Sequence, residues 1–207
     1  MSDSRPIGVF DSGLGGLTVV KALRSFLPHE SIVYFGDTAR VPYGNKSQGL
    51  IQEYSKDITD FLINHDSKMI VVACNTATAH ALDTLKEYSP IPVIGVIKPG
   101  VEEAIKATQN NHVGIIGTIA TITSKAYEKE LNEMSKNIKT SAQACPLLVP
   151  LAEEGWLDGD VAKSIVNHYI SPLNDNSIDT LILGCTHYPL LKDVITSQVN
   201  NGTTLID

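Results

Sequence analysis

Short apolar runs alternate with longer stretches of three-to-four-residue hydrophobic spacing along this 207-residue chain. That alternation predicts a parallel α/β architecture. Runs rich in β-branched residues read as strands at Ile7 to Phe10, Ser31 to Gly36, Met69 to Ala73 and Val93 to Gly95. Leu17 to Phe26, Leu50 to Asn64 and Ala77 to Glu87 read as helices between them. In the middle helix, Ile51, Tyr54, Ile58, Phe61 and Leu62 recur on one helical face. Pro90, Pro92 and Pro99-Gly100 punctuate a crossing near residue 98, after which the pattern restarts. Strands are predicted at His112 to Gly117, Thr140 to Ala144, Leu147 to Val149 and Thr180 to Leu183. Helices are predicted at Thr121 to Met134, Val161 to Tyr169 and Leu190 to Ser197.

The second pattern repeats the first. Ile7-Gly8-Val9-Phe10-Asp11-Ser12 aligns with Val113-Gly114-Ile115-Ile116-Gly117-Thr118 at an offset of 106, and Cys74 aligns with Cys185 at an offset of 111. Similar offsets at two strand ends predict an internal duplication, and so two pseudo-symmetric parallel-sheet α/β lobes, residues 1–97 and 98–207. The strand-like segment 203–207 is a candidate return to the first lobe. Open α/β sheets bind ligands beyond the C-terminal ends of their strands, which places the expected active site in the cleft between the lobes.

Composition narrows the function. With 43% hydrophobic and 19% charged residues, the chain has the makeup of a globular protein with one good core or two small ones. No signal peptide opens it and no apolar run approaches the roughly 18 residues of a membrane span, so the expectation is a cytoplasmic protein. The net charge of −7, without a Lys/Arg cluster, argues against nucleic acid and membrane surfaces as partners. Three sparse cysteines do not make a secreted disulfide framework and are expected to be reduced thiols.

Two of those cysteines share a setting. Met69-Ile70-Val71-Val72-Ala73 leads into Cys74-Asn75-Thr76, and Thr180-Leu181-Ile182-Leu183-Gly184 leads into Cys185-Thr186-His187. A thiol, with a reference pKa of about 8.5, both takes and gives a proton when its surroundings tune it. Each cysteine is expected just before a helix N-terminus, whose unsatisfied N–H groups and dipole favour a thiolate. A pair of such thiols suits inversion of a carbon centre from two faces. Cys145, in Ala144-Cys145-Pro146-Leu147, has no polar neighbours and reads as a core residue.

Other polar residues collect at strand ends. In Asp11-Ser12-Gly13-Leu14-Gly15-Gly16 the glycines let backbone N–H groups approach an anion, but the spacing is not that of a dinucleotide site. Asp11 and Asp37 could orient a substrate ammonium, tune a thiol or cap a helix. Tyr43-Gly44 reads locally as a turn, and Glu153 as a loop carboxylate in the second half at roughly the place of Asp37 in the first. His187 could hold or protonate Cys185. Cys74, Cys185 and His187 are metal-ligand types, but no C-x-x-C pair completes a set, so no metal is expected.

Taken together, GVFDSGLGGLTV, YFGDTARVPYG, VVACNTATA, PVIGVIKPG, VPLAEEG and LILGCTHYPLL give a sequence that strongly resembles the glutamate racemases over nearly its whole length. The related aspartate racemases share the two-cysteine layout but open differently. The resemblance implies cofactor-independent interconversion of L- and D-glutamate, supplying D-glutamate for bacterial peptidoglycan. It implies Cys74 acting on the α-proton of D-glutamate and Cys185 on that of L-glutamate, with Asp11, Asp37, Glu153 and His187 as supporting polar groups. Asp11, Ser12, Tyr43, Gly44, Asn75, Thr76, Thr186 and His187 would hold the substrate, and a homodimer is plausible for the family. The sequence ends at Thr203-Thr204-Leu205-Ile206-Asp207, where these racemases usually continue back into the first lobe, so the resemblance predicts a first lobe lacking its closing elements. Rival readings are an aspartate racemase, a glutamate-binding protein without turnover, a redox dithiol, and a pyridoxal enzyme built on Lys98.

Overall fold

The structure is a computed structural model and describes residues 3–207. The chain divides into two compact units, one running to Val96 and the other starting at Ile97.

In the first unit β1 (Ile7–Asp11), β2 (Ile32–Gly36), β3 (Met69–Val72) and β4 (Val93–Gly95) form a parallel sheet in the order β2-β1-β3-β4. α1 (Leu17–Phe26), α2 (Gln48–Asn64) and α3 (Asn75–Tyr88) connect them. β1 is buried along its whole length, with alternate residues serving opposite faces. Ile7 and Val9 pack with Val71 and the partly buried Val19, Val20 and Leu23 of α1. Phe10 packs with Ile51, Ile58 and Leu62 of α2 and with Ala77, Ala81 and Leu85 of α3. Each large side chain buried in this way contributes about 1.5–3 kcal/mol, which is what holds the periodic face of α2 on the sheet.

The second unit opens with α4 (Ile97–Ala107), and its sheet is again parallel. β5 (His112–Gly117), β6 (Lys139–Ala144), β7 (Thr180–Gly184) and β8 (Thr204–Ile206) run in the order β6-β5-β7-β8, the same pattern as in the first unit. α5 (Ile119–Ser124), α6 (Ala126–Met134), α7 (Leu148–Glu153), α8 (Asp160–Asp175) and α9 (Lys192–Gln198) complete it. α7, α8 and α9 supply Leu148, Leu151, Val166, Ile170 and Ile195 to one core with Leu181 and Leu183 of β7.

The two registers agree residue for residue. Ile7 lies opposite Ile32 and Met69, while Val113 lies opposite Thr140 and Thr180. Laying Ile7 on Val113 therefore brings Met69 onto Thr180 and, five residues on in both strands, Cys74 onto Cys185. The offset of 111 between the cysteines is thus the offset between β3 and β7.

Several expected elements differ. Leu147 to Val149 belongs to a helical segment, not a strand. The Leu-Leu-Val run suits either state, and its Leu148 and Leu151 face the core at helical spacing. The expected helix Thr121 to Met134 is two, broken at Lys125, which adopts the left-handed conformation at φ 57°. Pro99-Gly100 lies within α4, because a proline in the first turn of a helix has no intrahelical partner to lose. The terminal segment pairs with β7 as the edge of the second sheet. Among the described residues, no helix is long and apolar enough to cross a membrane.

Candidate active site

The first unit gathers polar side chains where β1, β2 and β3 end. Cys74 caps α3: its backbone is extended (φ −66°, ψ 119°) and its Sγ accepts the N–H of Ala77 at 3.4 Å. The Ser12 hydroxyl and N–H also hydrogen-bond to this sulfur. Burial pushes the thiol up to about 11, the Asp11 carboxylate adds to the rise, and the Ala77 and Ser12 hydrogen bonds oppose it. Asn75 and Thr76, the first two residues of α3, are buried.

Asp11 ends β1 fully buried, and its Oδ2 accepts the N–H of Gly13 at 3.0 Å. The turn that follows has no room for a side chain at Gly16, nor at Gly36 of β2, which packs against it. A Cβ on Gly16 would lie 2.4 Å from Asp11 Cβ, and one on Gly36 would lie 2.5 Å from the Gly13 carbonyl oxygen. Tyr34 clamps this turn by donating its hydroxyl to that carbonyl at 2.7 Å. Asp37 follows β2 and donates its N–H to the Asp11 carbonyl at 3.0 Å. Its Oδ2 accepts both the Tyr43 hydroxyl at 2.5 Å and Arg40 Nε at 2.7 Å. Tyr43 is buried, and burial followed by the Asp37 contact drives its ionisation far above the ordinary range. Gly44 is next to it in a short 3-10 turn, Tyr43–Asn45.

The second unit serves its thiol differently. Cys185 is buried, with Sγ 3.8 Å from Nδ1 of the buried His187. The other ring nitrogen of His187, Nε2, lies 2.5 Å from Oε1 of Glu153, the last residue of α7. Thr186 is buried between Cys185 and His187 in sequence. No α-helix starts at Cys185: a turn and the 3-10 segment Tyr188–Leu191 intervene before α9, so the expected helix-dipole support holds for Cys74 and not for Cys185. His187 stands beside the sulfur as a polar partner.

Asp11, Ser12, Asp37, Tyr43, Gly44, Cys74, Asn75 and Thr76 thus belong to the strand ends of the first unit, and Glu153, Cys185, Thr186 and His187 to the second. Sheet register corrects one equivalence: the counterpart of Asp37 is Cys145, five residues after Thr140 as Asp37 is after Ile32, whereas Glu153 ends the following helix. Cys145 is a fully buried thiol, pushed up to about 12 by burial. Sequence reasoning missed Tyr34 and Arg40. Tyr34 looks like any strand residue, and Arg40 only a three-residue spacing from Asp37 could have flagged. Lys98 is exposed at the start of α4. Among the described residues, no group of three or more His, Cys, Asp or Glu side chains could hold a metal ion.

The family described as Asp/Glu/Hydantoin racemase matches residues 17–207. A glutamate racemase of Sulfurihydrogenibium is 54% identical over 191 residues, 92% of this chain and 74% of that protein. The glutamate racemase isoform RacE1 of Bacillus anthracis superposes with a TM-score of 0.96 at 44% identity, covering 99% of this chain and 77% of that one. The glutamate racemase of Francisella tularensis, solved in complex with D-glutamate, gives 0.92 at 45% identity, covering 100% and 77%. This chain therefore spans about three quarters of the length of these relatives. The matched sequence, the paired sheets and the register-equivalent thiols make it a member of the Asp/Glu/Hydantoin racemase family, among its glutamate racemases.

Proposed function

We propose that the chain interconverts L- and D-glutamate without a cofactor, with Cys74 and Cys185 as its two acid/base groups. The observation that carries this reading is that the two thiols follow register-equivalent strands and each has polar partners at its sulfur, the Ala77 N–H and Ser12 at Cys74 and the His187 ring at Cys185. In the proposed mechanism Cys185 as thiolate takes the α-proton of L-glutamate, and Cys74 as thiol delivers its own proton to the opposite face. The lone pair left on the α-carbon is consumed in the new C–H bond, and the protonation of the two sulfurs is exchanged; D-glutamate runs the reverse. The α-proton is very weakly acidic, so fixed donors must stabilise the charge that spreads onto the α-carboxylate. Ser12, Asn75, Thr76 and Thr186, with nearby backbone N–H groups, are proposed for that task.

The charge on Asp11 has a part in the cycle. It disfavours thiolate at Cys74, and a substrate ammonium held beside it would offset that effect and bring the thiol within reach of neutral pH. His187, steadied by Glu153, is proposed to exchange a proton with Cys185. Supply of D-glutamate for peptidoglycan, a cytoplasmic location and homodimeric assembly belong to the same reading.

Decay of the circular dichroism of L-glutamate, with no cofactor added, tests the activity and separates an enzyme from a binding protein. Aspartate under the same conditions is expected to be racemised far more slowly. In D₂O, early D-glutamate should carry deuterium at the α-carbon while recovered L-glutamate does not. Equal early labelling of both enantiomers would overturn the two-base assignment.

A further inference from the structure

One corner of the fold is built twice with opposite chemistry. Asp37 after β2 and Cys145 after β6 are register equivalents, and each donates its N–H to the neighbouring strand, to the Asp11 carbonyl at 3.0 Å and the Gly117 carbonyl at 2.8 Å. Both side chains are buried. Three and six residues after Cys145 come Leu148 and Leu151, which pack with it in one apolar core. Three and six residues after Asp37 come Arg40 and Tyr43, which both donate to its Oδ2. The backbone corner therefore closes without a carboxylate. Because a buried carboxylate is costly unless compensated, folding alone does not account for Asp37 or for the cation that pairs with it.

Arg40 is held by more than Asp37. Its Nη1 donates to Asp57 Oδ2 at 3.0 Å, and its guanidinium carbon stands 4.3 Å above the centre of the Tyr54 ring. Asp57 and Tyr54 are three residues apart on α2, and the Tyr54 ring lies 5.9 Å from that of Tyr43. One guanidinium thus holds Asp37 within the segment between β2 and α2 and ties that segment to the helix by one charged hydrogen bond and a ring contact. Only a planar fork can do all three; a lysine ammonium has neither the second arm nor the stacking face.

We propose that Arg40 is a positioning residue for the glutamate site: by fixing the Asp37 carboxylate it fixes Tyr43, and so sets the geometry in which Tyr43 and Gly44 meet the substrate. This rests on the reading of those two residues as substrate-binding. Arg40 touches no reacting atom, so its loss should weaken substrate binding more than turnover.

The test compares wild type with Arg40→Lys, Arg40→Met and Asp57→Asn, using steady-state racemisation of L-glutamate and hydrogen exchange of the amides of residues 38–46. Both Arg40 variants should raise KM at least tenfold while kcat falls less than threefold. Exchange should quicken at least tenfold at the Arg40 and Lys46 amides, which donate to the Asp37 and Tyr43 carbonyls, with the sheet amides unchanged. Asp57→Asn should move KM less than threefold, because that carboxylate is 61% exposed. A merely structural arginine would lower the folded fraction and hence apparent kcat at constant KM. Wild-type KM in Arg40→Lys, or unchanged exchange in either Arg40 variant, would overturn the proposal. If Arg40→Met fails to fold, Arg40→Lys decides. A wild-type protein that did not racemise glutamate would sink the proposed activity, and the exchange rates would still decide whether Arg40 positions the segment.

Discussion

Cys74 and Cys185 follow equivalent strands of two sheets with the same order, yet they differ in neighbours. Cys74 caps a regular helix, takes hydrogen bonds from Ala77 and Ser12, and has a carboxylate, Asp11, as its charged neighbour. Cys185 precedes an irregular turn and has an imidazole as its neighbour, backed by Glu153. The two sheets hold the sulfur at the same register position and give it different charged neighbours. The difference fits a reaction in which one symmetric task, moving a proton on or off carbon, is applied to an asymmetric molecule whose ammonium and carboxylates need different partners on each side.

The strongest test of the shared position is removal of each sulfur. Cys74→Ala and Cys185→Ala should each lower the racemisation rate by about a thousandfold or more, since each thiol is the proposed acid/base group for its own face. Near-normal turnover in either variant would break the equivalence. The unlike surroundings are tested by His187→Asn, expected to lower kcat/KM by about a hundredfold, in the range found for loss of a proton-transfer partner. Enantiomers have equal free energies, so kcat/KM must fall equally in both directions and cannot reveal the asymmetry. The α-deuterium isotope effect can. It should rise for L-glutamate, whose proton goes to Cys185 in the proposed mechanism, and stay level for D-glutamate. A rise for both would mean that His187 serves the two thiols alike.

The contrast between the two sites also marks what was legible in the sequence. The positions of the thiols were readable because an apolar strand followed at once by small polar residues is a local signal, and the offset between the repeats placed both strands. The helix at Leu148–Glu153 was not, since Pro146, Pro150 and an apolar run leave helix and strand equally open until the core selects Leu148 and Leu151. Nor was the pairing of Glu153 with His187, which joins residues 34 apart through tertiary packing alone. Arg40 shows a third case. Its partner Asp37 is near in sequence, but the segment between them is irregular, and without helical or strand periodicity no spacing rule says which side chains meet.

Chemical reactivity sharpens the comparison for Cys74 alone. With the thiol pushed up to about 11, it is almost fully protonated at neutral pH, so its alkylation by iodoacetamide, followed by peptide mass spectrometry, should rise about tenfold per pH unit between pH 7.5 and 9.5. Asp11 repels the thiolate, so Asp11→Asn should lower the midpoint and speed alkylation severalfold at each pH. The gain should be partial, because burial is the larger cause and is untouched by the substitution. A rate flat with pH over that range would show a thiol already ionised.

The smallest effect belongs to the third cysteine. Register places Cys145 where the first unit has Asp37, but its sulfur donates to the Gln143 carbonyl at 3.5 Å and packs in one core with Leu148 and Leu151. Cys145→Ala removes one buried atom from a packed interior, so it should cost about 1–2 kcal/mol. That corresponds to a drop in Tm of roughly 2–8 °C for a chain of this size. Racemisation in the variant, measured well below the transition, should stay within twofold of wild type, whereas Asp37→Ala at the equivalent corner should lose most activity. Unlike outcomes at two register-equivalent positions would show that the two units share the frame of this corner and that only the first puts it to chemical use.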